Sequence, residues 1–292
     1  MSNCHKQFMG YNNNLDIPRT TFDRLIGARV VVENQLKKYF SKIEGYNIKG
    51  FKVQGSKSSK TMIRKRNDTV DIDFGVYFYP KPVHSPATVI KKVYDALHEL
   101  RTKYAPTRKN KCVRVEYRAE SKIHIDVPIF YLEKLSGERN PHIATPTGWI
   151  QSDTTQFERW YKERKKRNPQ LRRLIRYLKG WASHQKCDMP KGVAITVLAA
   201  TYQEKHLRDD VAFLETLKNI RAALKKEYVC KMPAKPGDDL LRKVNSISKQ
   251  KDFFECIDLV IKDGEAAIKT PKKLHALKLW RKHLGIFFPI VY

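Results

Sequence analysis

Three aspartates carry the chemistry that this sequence offers. Asp71 and Asp73 stand one residue apart in the run 70–78, VDIDFGVYF. Side chains alternate faces along a strand, so both carboxylates project from the same side and can converge. Two carboxylates side by side repel unless a cation sits between them. Oxygen-only ligands at this spacing suit Mg²⁺, which takes one or two carboxylates and completes its shell with substrate phosphates. A third carboxylate, Asp126, lies among apolar neighbours in the run 123–130, IHIDVPIF. Ahead of the pair comes Gln54-Gly55-Ser56, followed by Lys57, Ser58, Ser59 and Lys60. Small residues there let backbone N–H groups approach a polyphosphate, and the lysines favour its charge. Together these are the parts of metal-assisted phosphoryl or nucleotidyl transfer.

A lone D-x-D triplet is common on the solvent face of an edge strand, and a Gly-Ser pair is usually an ordinary turn. The flanks decide the matter. Val70, Ile72, Phe74, Val76 and Phe78 make the run apolar on alternate positions, which places it in the middle of a sheet. A carboxylate pair on such a strand requires a function.

The surrounding elements must hold this strand and its loop. Residues 1–17 are polar, with Asn12-Asn-Asn14, and read as a flexible N-terminus. A long helix capped by Thr20 or Thr21 runs to about Ile43, with an apolar stripe that suits the back of a sheet. Residues 46–53 read as the strand leading into the Gly-Ser loop. A helix follows over 88–103, then paired strands over 111–117 and 123–131. From Phe157 onward strand signals nearly vanish. Residues 162–179 hold nine Lys or Arg and one Glu. Pro169 marks the start of a helix there, with Leu171, Leu174, Ile175 and Leu178 on its apolar face. Arg172, Arg173 and Arg176 are expected on its solvated face. Residues 193–201 read as a buried helix, with more at about 210–226, 247–262 and 271–283. Thr270-Pro271 opens the last of these and Pro236-Gly237 marks a turn.

Composition bounds the function further. The chain has 292 residues, with 58 Lys and Arg against 30 Asp and Glu, a net charge of +28. A surplus of that size attracts polyanions, and nucleic acid is the natural candidate. No apolar run approaches the ~18 residues that a membrane helix needs. The first residues show no apolar core of a signal peptide. Five scattered cysteines without C-x-x-C spacing argue against a zinc site or a disulfide framework. A cytoplasmic location is expected.

Several stretches together resemble a known family. The order Gly55-Ser56, Asp71-x-Asp73 and then Asp126 is that of polymerase-β-like nucleotidyltransferases. Gly148-Trp-Ile-Gln-Ser-Asp153, Leu178-Lys-Gly-Trp181 and Leu279-Trp-Arg-Lys-His-Leu-Gly-Ile-Phe-Phe-Pro289 narrow it. That set resembles the bacterial cyclic-oligonucleotide synthases, the cyclic GMP-AMP synthase/DncV-like nucleotidyltransferases of anti-phage signalling systems. The chain differs in having Lys60-Thr61 where relatives often carry Gly-Thr. It also has Lys191 where a small hydroxyl residue is common.

The resemblance implies an α+β, bilobed fold. A polymerase-β-like core over 18–155, with a mixed sheet and a long N-terminal helix, would precede a helical nucleotide-clamping domain over 156–292. Asp71 and Asp73 would hold two Mg²⁺ ions, with Mn²⁺ as a substitute, and Asp126 would complete one of these sites. Gln54, Gly55, Ser56, Lys60 and Lys179 would bind the nucleotide. The substrates would be ATP, GTP or pyrimidine NTPs, and the product a cyclic di- or trinucleotide read by a downstream effector. An RNA activator on the basic surface fits the charge. Template-independent extension of a linear product, or a catalytically silent RNA-binding module on the same scaffold, are the alternatives.

Overall fold

A computed structural model of the chain describes residues 1–118, 122–136, 139–152 and 154–291. The chain divides into two compact units. One comprises Ile17–Ser59 and Asn67–Thr155. The other comprises Met1–Asp16, Lys60–Arg66 and Gln156–Tyr292.

The N-terminus departs from expectation at once. Far from being a flexible leader, it forms helix α1 (His5–Asn14), which belongs to the second unit. Phe8 and Tyr11 lie three residues apart on one helical face and are fully buried. Phe8 packs edge-on against Tyr177, Trp280 and Phe288. The asparagine run suggested disorder; the two aromatic side chains outweigh it.

The first unit begins with α2 (Arg19–Phe40), β1 (Ile48–Gln54) and the single turn α3 (Gly55–Ser58). Pro18 stands at the N-cap of α2, so Thr20 and Thr21 fall inside its first turn. Next come β2 (Val70–Phe78) and α4 (Pro86–His98). Helix α4 starts earlier than expected because Ser85 caps it, its Oγ accepting the Thr88 N–H at 3.3 Å. The unit continues through β3 (Thr107–Arg108), β4 (Val113–Arg118), β5 (Lys122–Val127), β6 (Ile129–Tyr131), β7 (His142–Thr145) and β8 (Gly148–Gln151).

Among the described residues these eight strands form one mixed sheet with β2 at its centre. One edge of β2 pairs antiparallel with β1; the other pairs parallel with β5 and then β6. The run 123–131 is broken at Pro128, which has no N–H to give, while its carbonyl accepts the Val76 N–H at 3.0 Å. On one face of β2, Val70, Ile72, Phe74, Val76 and Phe78 are buried. Helix α2 lies across β1, β2 and β5 on that side, presenting Leu25, Val32, Leu36 and Phe40. The opposite face carries the polar residues.

The second unit is mainly helical: α5 (Thr154–Arg167), α6 (Leu171–His184), α7 (Gly192–Tyr202) and α8 (Asp209–Lys226) come first. A short hairpin, β9 (Lys231–Met232) and β10 (Lys235–Asp239), precedes α9 (Ile247–Lys269) and α10 (Lys273–Leu284). Pro236-Gly237 therefore lies within the hairpin. Thr270 closes α9, and α10 begins beyond Pro271. Helix α7 is apolar all round and buried from Ala194 to Ala200.

The basic face of α6 is not the solvated one expected. Arg176 is 1% exposed and donates from Nη2 to Asp16 at 2.6 Å. Arg173 donates from Nε and Nη2 to the buried carboxylate of Asp209, at 2.7 and 3.0 Å. Helix periodicity reveals one apolar stripe, but α6 packs against α1, α7, α8 and α10. No described helix is long and apolar enough to cross a membrane.

Candidate active site

The polar face of the sheet is built by register. Asp73 pairs with Gln54 across one edge of β2 and with Asp126 across the other. Asp126 in turn pairs with Arg114 of β4. One step along, Asp71 pairs with His124, and His124 with Glu116. Directly paired residues share a face, so strand alternation places all of these side chains on one side.

Their contacts are charged and close. The Arg114 guanidinium donates from Nε and Nη2 to the two oxygens of Asp126, both at 2.7 Å. The same guanidinium lies 3.7 Å from Asp71 Oδ1. Nδ1 of His124 lies 2.9 Å from that Asp71 oxygen and 3.1 Å from Arg114 Nη1. Burial pushes the Cys112 thiol up to about 12, and the charge of neighbouring Asp126 adds to the effect.

Asp73 remains open to solvent, yet protein atoms around it strip water from its carboxylate. That desolvation comes first, and the charges of Asp126 and Asp71 add to it; together they push Asp73 up to about 6 against the opposing pull of Arg114. Among the described residues, no three acidic, histidine or cysteine side chains are gathered tightly enough to hold a metal ion as they stand. The three carboxylates share one face, but Arg114 occupies both oxygens of Asp126.

The Gly-Ser segment approaches this face directly. Gly55 has φ +65°, and a methyl group there would run into Oδ2 of Asp73. Only glycine permits the approach. Ser56 follows in the single turn α3, where Ser59 Oγ donates back to the Gly55 carbonyl at 3.0 Å. The first N–H groups of such a turn have no carbonyl one turn back, which suits an anion. Gln54 is buried, and its amide donates to the Tyr77 hydroxyl.

Two expected ligands belong to the other unit. Lys60 adopts φ 57°, the left-handed region that favours glycine. Its carbonyl accepts from Arg172 Nε at 2.8 Å. Lys179 projects from α6, its Nζ donating to Thr61 Oγ1 at 2.9 Å. Desolvation, then the charges of Arg176 and Lys65, pull this ammonium down to about 7. The structure thus brings Asp71, Asp73, Asp126, Gly55 and Gln54 onto one sheet face. Asp153 of the Gly148 motif lies outside the described residues.

Arg114, His124 and Glu116 escaped the sequence reading. The alternation in VRVEY and IHIDV carried the signal, since Arg114 and Glu116 share a face, as do His124 and Asp126.

Residues 49–130, which hold most of β1, the Gly-Ser turn and all three aspartates, match the cyclic GMP-AMP synthase DncV-like nucleotidyltransferase domain. A cyclic GMP-AMP synthase of Escherichia albertii is 28% identical over 224 residues, covering 70% of this chain. The match takes in 47% of that relative, so the chain spans about half the length of the curated protein it resembles.

Solved structures agree on the fold. The Vibrio cholerae DncV cyclic AMP-GMP synthase superposes with a TM-score of 0.85 at 17% identity, covering 98% of this chain and 97% of that one. A mutant of the same cyclase in complex with ATP, GTP and 5MTHFGLU2 gives 0.83 at 16% identity, covering 97% and 96%.

Proposed function

We propose that this chain is a DncV-like nucleotidyltransferase that joins nucleoside triphosphates into a cyclic di- or trinucleotide, which signals phage infection to a downstream effector. The observation that carries the reading is the paired register of Asp73 and Asp126 with Asp71 on the same face. Like charges crowd there and raise Asp73, so the donor set fits a divalent cation. Asp71 and Asp73 would hold two Mg²⁺ ions, replaceable by Mn²⁺, with Asp126 completing one site once Arg114 releases it. Bound there, the ions would neutralise charge on the triphosphate and the leaving pyrophosphate.

The chain's own residues do the rest. Asp126 helps draw the proton from a ribose 3′- or 2′-hydroxyl, whose oxygen bonds to the α-phosphorus as the bond to pyrophosphate breaks. The Gly55 and Ser56 backbone, with Lys60, binds phosphate oxygens, and Gln54 supports the turn. Lys179 adds a phosphate-binding ammonium; its lowered pKa means that a phosphate partner would recharge it. The ring closes when a second attack joins the ends of the retained linear intermediate. ATP and GTP are the proposed first substrates, in the cytoplasm.

RNA stimulation is part of the proposal. On α5, Lys162, Lys166 and Arg167 are exposed, and Arg164 stacks 5.7 Å above the Trp160 ring. Cations interleaved with an aromatic ring suit a single strand. The test is incubation with Mg²⁺ or Mn²⁺ and labelled NTPs, singly and mixed, with and without RNA. A phosphatase-resistant product of cyclic mass supports the reading. Phosphatase-sensitive ladders would indicate linear extension instead, and nucleotides that neither react nor raise the melting temperature would indicate a silent scaffold.

A further inference from the structure

Cys187 and Cys256 meet far apart in sequence, both within the helical unit. Cys187 lies in the segment between α6 and α7, and Cys256 on α9. Their Sγ atoms are 2.8 Å apart, both thiols are free, and both residues are half-buried. That separation is well inside ordinary sulfur contact, so the ~2.0 Å bond of a disulfide needs a shift of under ~1 Å. A second contact ties this segment to the same helix. Asp188 pairs with Lys249 of α9 at 2.9 Å, and Met189 Sδ lies 3.5 Å from Cys187 Sγ.

We propose that Cys187 and Cys256 form a reversible disulfide site whose oxidant is a small-molecule disulfide. The two residues differ in reactivity. Burial, the Cys187 contact and the charges of Asp252 and Glu255 raise the Cys256 thiol. Cys187, flanked by exposed Lys186 and Asp188, is the thiol that reacts first. Its thiolate attacks the small disulfide, one sulfur bonds to Cys187, and the other leaves as a thiolate that takes up the Cys187 proton. The Cys256 sulfur then attacks the mixed disulfide at Cys187, and the second small thiolate leaves with the Cys256 proton. Two protein thiols are oxidised and one small disulfide is reduced to two thiols.

The bond has a defined place to act. It tethers the segment between α6 and α7 to α9, and that segment ends at Gly192, where a Cβ would stand 3.5 Å from Cε of Lys179. The other cysteines are poor competitors. Cys4 and Cys230 are buried, and Cys112 lies in the other unit.

The full chain, equilibrated with oxidised and reduced glutathione in varied ratio, tests this by thiol counting, intact mass and non-reduced peptide mapping. The expected result is loss of two of the five thiols, a mass lower by two hydrogens, and a linked peptide holding Cys187 and Cys256. Reduced glutathione should reverse all three, and hydrogen exchange over 185–191 should slow in the oxidised form. The Cys256→Ser variant should instead keep a glutathione adduct on Cys187, for want of a resolving thiol. Free thiols at both positions of the folded wild-type chain, or separate stable adducts on each, would overturn the proposal whatever the variant does.

Discussion

The Arg114 guanidinium grips both oxygens of Asp126, with 2.7 Å contacts from Nε and Nη2. The pair sits in direct register on β4 and β5, and it places a fixed positive charge among three carboxylates. Arg114 thus holds the site together without a metal and competes with one for Asp126. Replacing it with Met should cost about 1.5–3 kcal/mol in chelator, the range for hydrogen bonds to charged groups. The same variant should gain more melting temperature from Mg²⁺ than the wild type does. Thermal melts with and without Mg²⁺ check both outcomes, and equal metal increments would count against the competition.

Asp73 gives the site a pH dependence. Its folded pKa of about 6 lies above the ordinary 3.8. Between those values the folded state binds the extra proton, so metal-free stability falls as pH rises through that window. Above it the carboxylate is charged, and the gain from Mg²⁺ should be largest there. Unfolding in chelator and in Mg²⁺ from about pH 4 to 8 measures the difference. A metal increment that is flat across the window would contradict the assignment.

Gly55 should tolerate no side chain. Its φ of +65° and the approach of Asp73 Oδ2 both exclude a methyl group. Gly55→Ala should lose roughly 1–3 kcal/mol of stability and most nucleotide turnover. Ser59→Ala, one turn on, removes a hydroxyl that donates to the Gly55 and Ser56 carbonyls and should lose about 1 kcal/mol or less. Urea unfolding of the two variants side by side checks the contrast.

Lys60 presents the reverse case, a side chain where the backbone favours glycine. Lys60→Gly should relieve about 1 kcal/mol of backbone strain, offset in part by the greater freedom of glycine in the unfolded chain. Stability should change little or rise, while nucleotide affinity should fall if the ammonium binds phosphate. Unchanged affinity would remove Lys60 from the site.

Much of this was legible in residues 70–78, where alternation puts Asp71 and Asp73 on one face and five apolar side chains on the other. Asp126 could be seen as a third carboxylate, but its alignment with Asp73 depends on which strands pair and in what register. Local sequence does not fix that pairing. Arg114 was hidden for the same reason, as one charged residue in an ordinary alternating strand. The helices with long apolar stripes, α2, α7 and α8, could be read, whereas α1 was masked by its asparagines. The two-residue strand β9 and its partner are too short to show a period. Arg176 and Asp16 lie 160 positions apart in sequence, so no local pattern could announce that pair.

The most direct test of the central claim compares wild type with an Asp71→Asn, Asp73→Asn double variant in NTP turnover with Mg²⁺ or Mn²⁺. Under conditions where the wild type makes a phosphatase-resistant product, the variant should make none. In chelator it should melt no lower than the wild type, because the like charges are gone. A folded double variant that still forms the product would contradict the account.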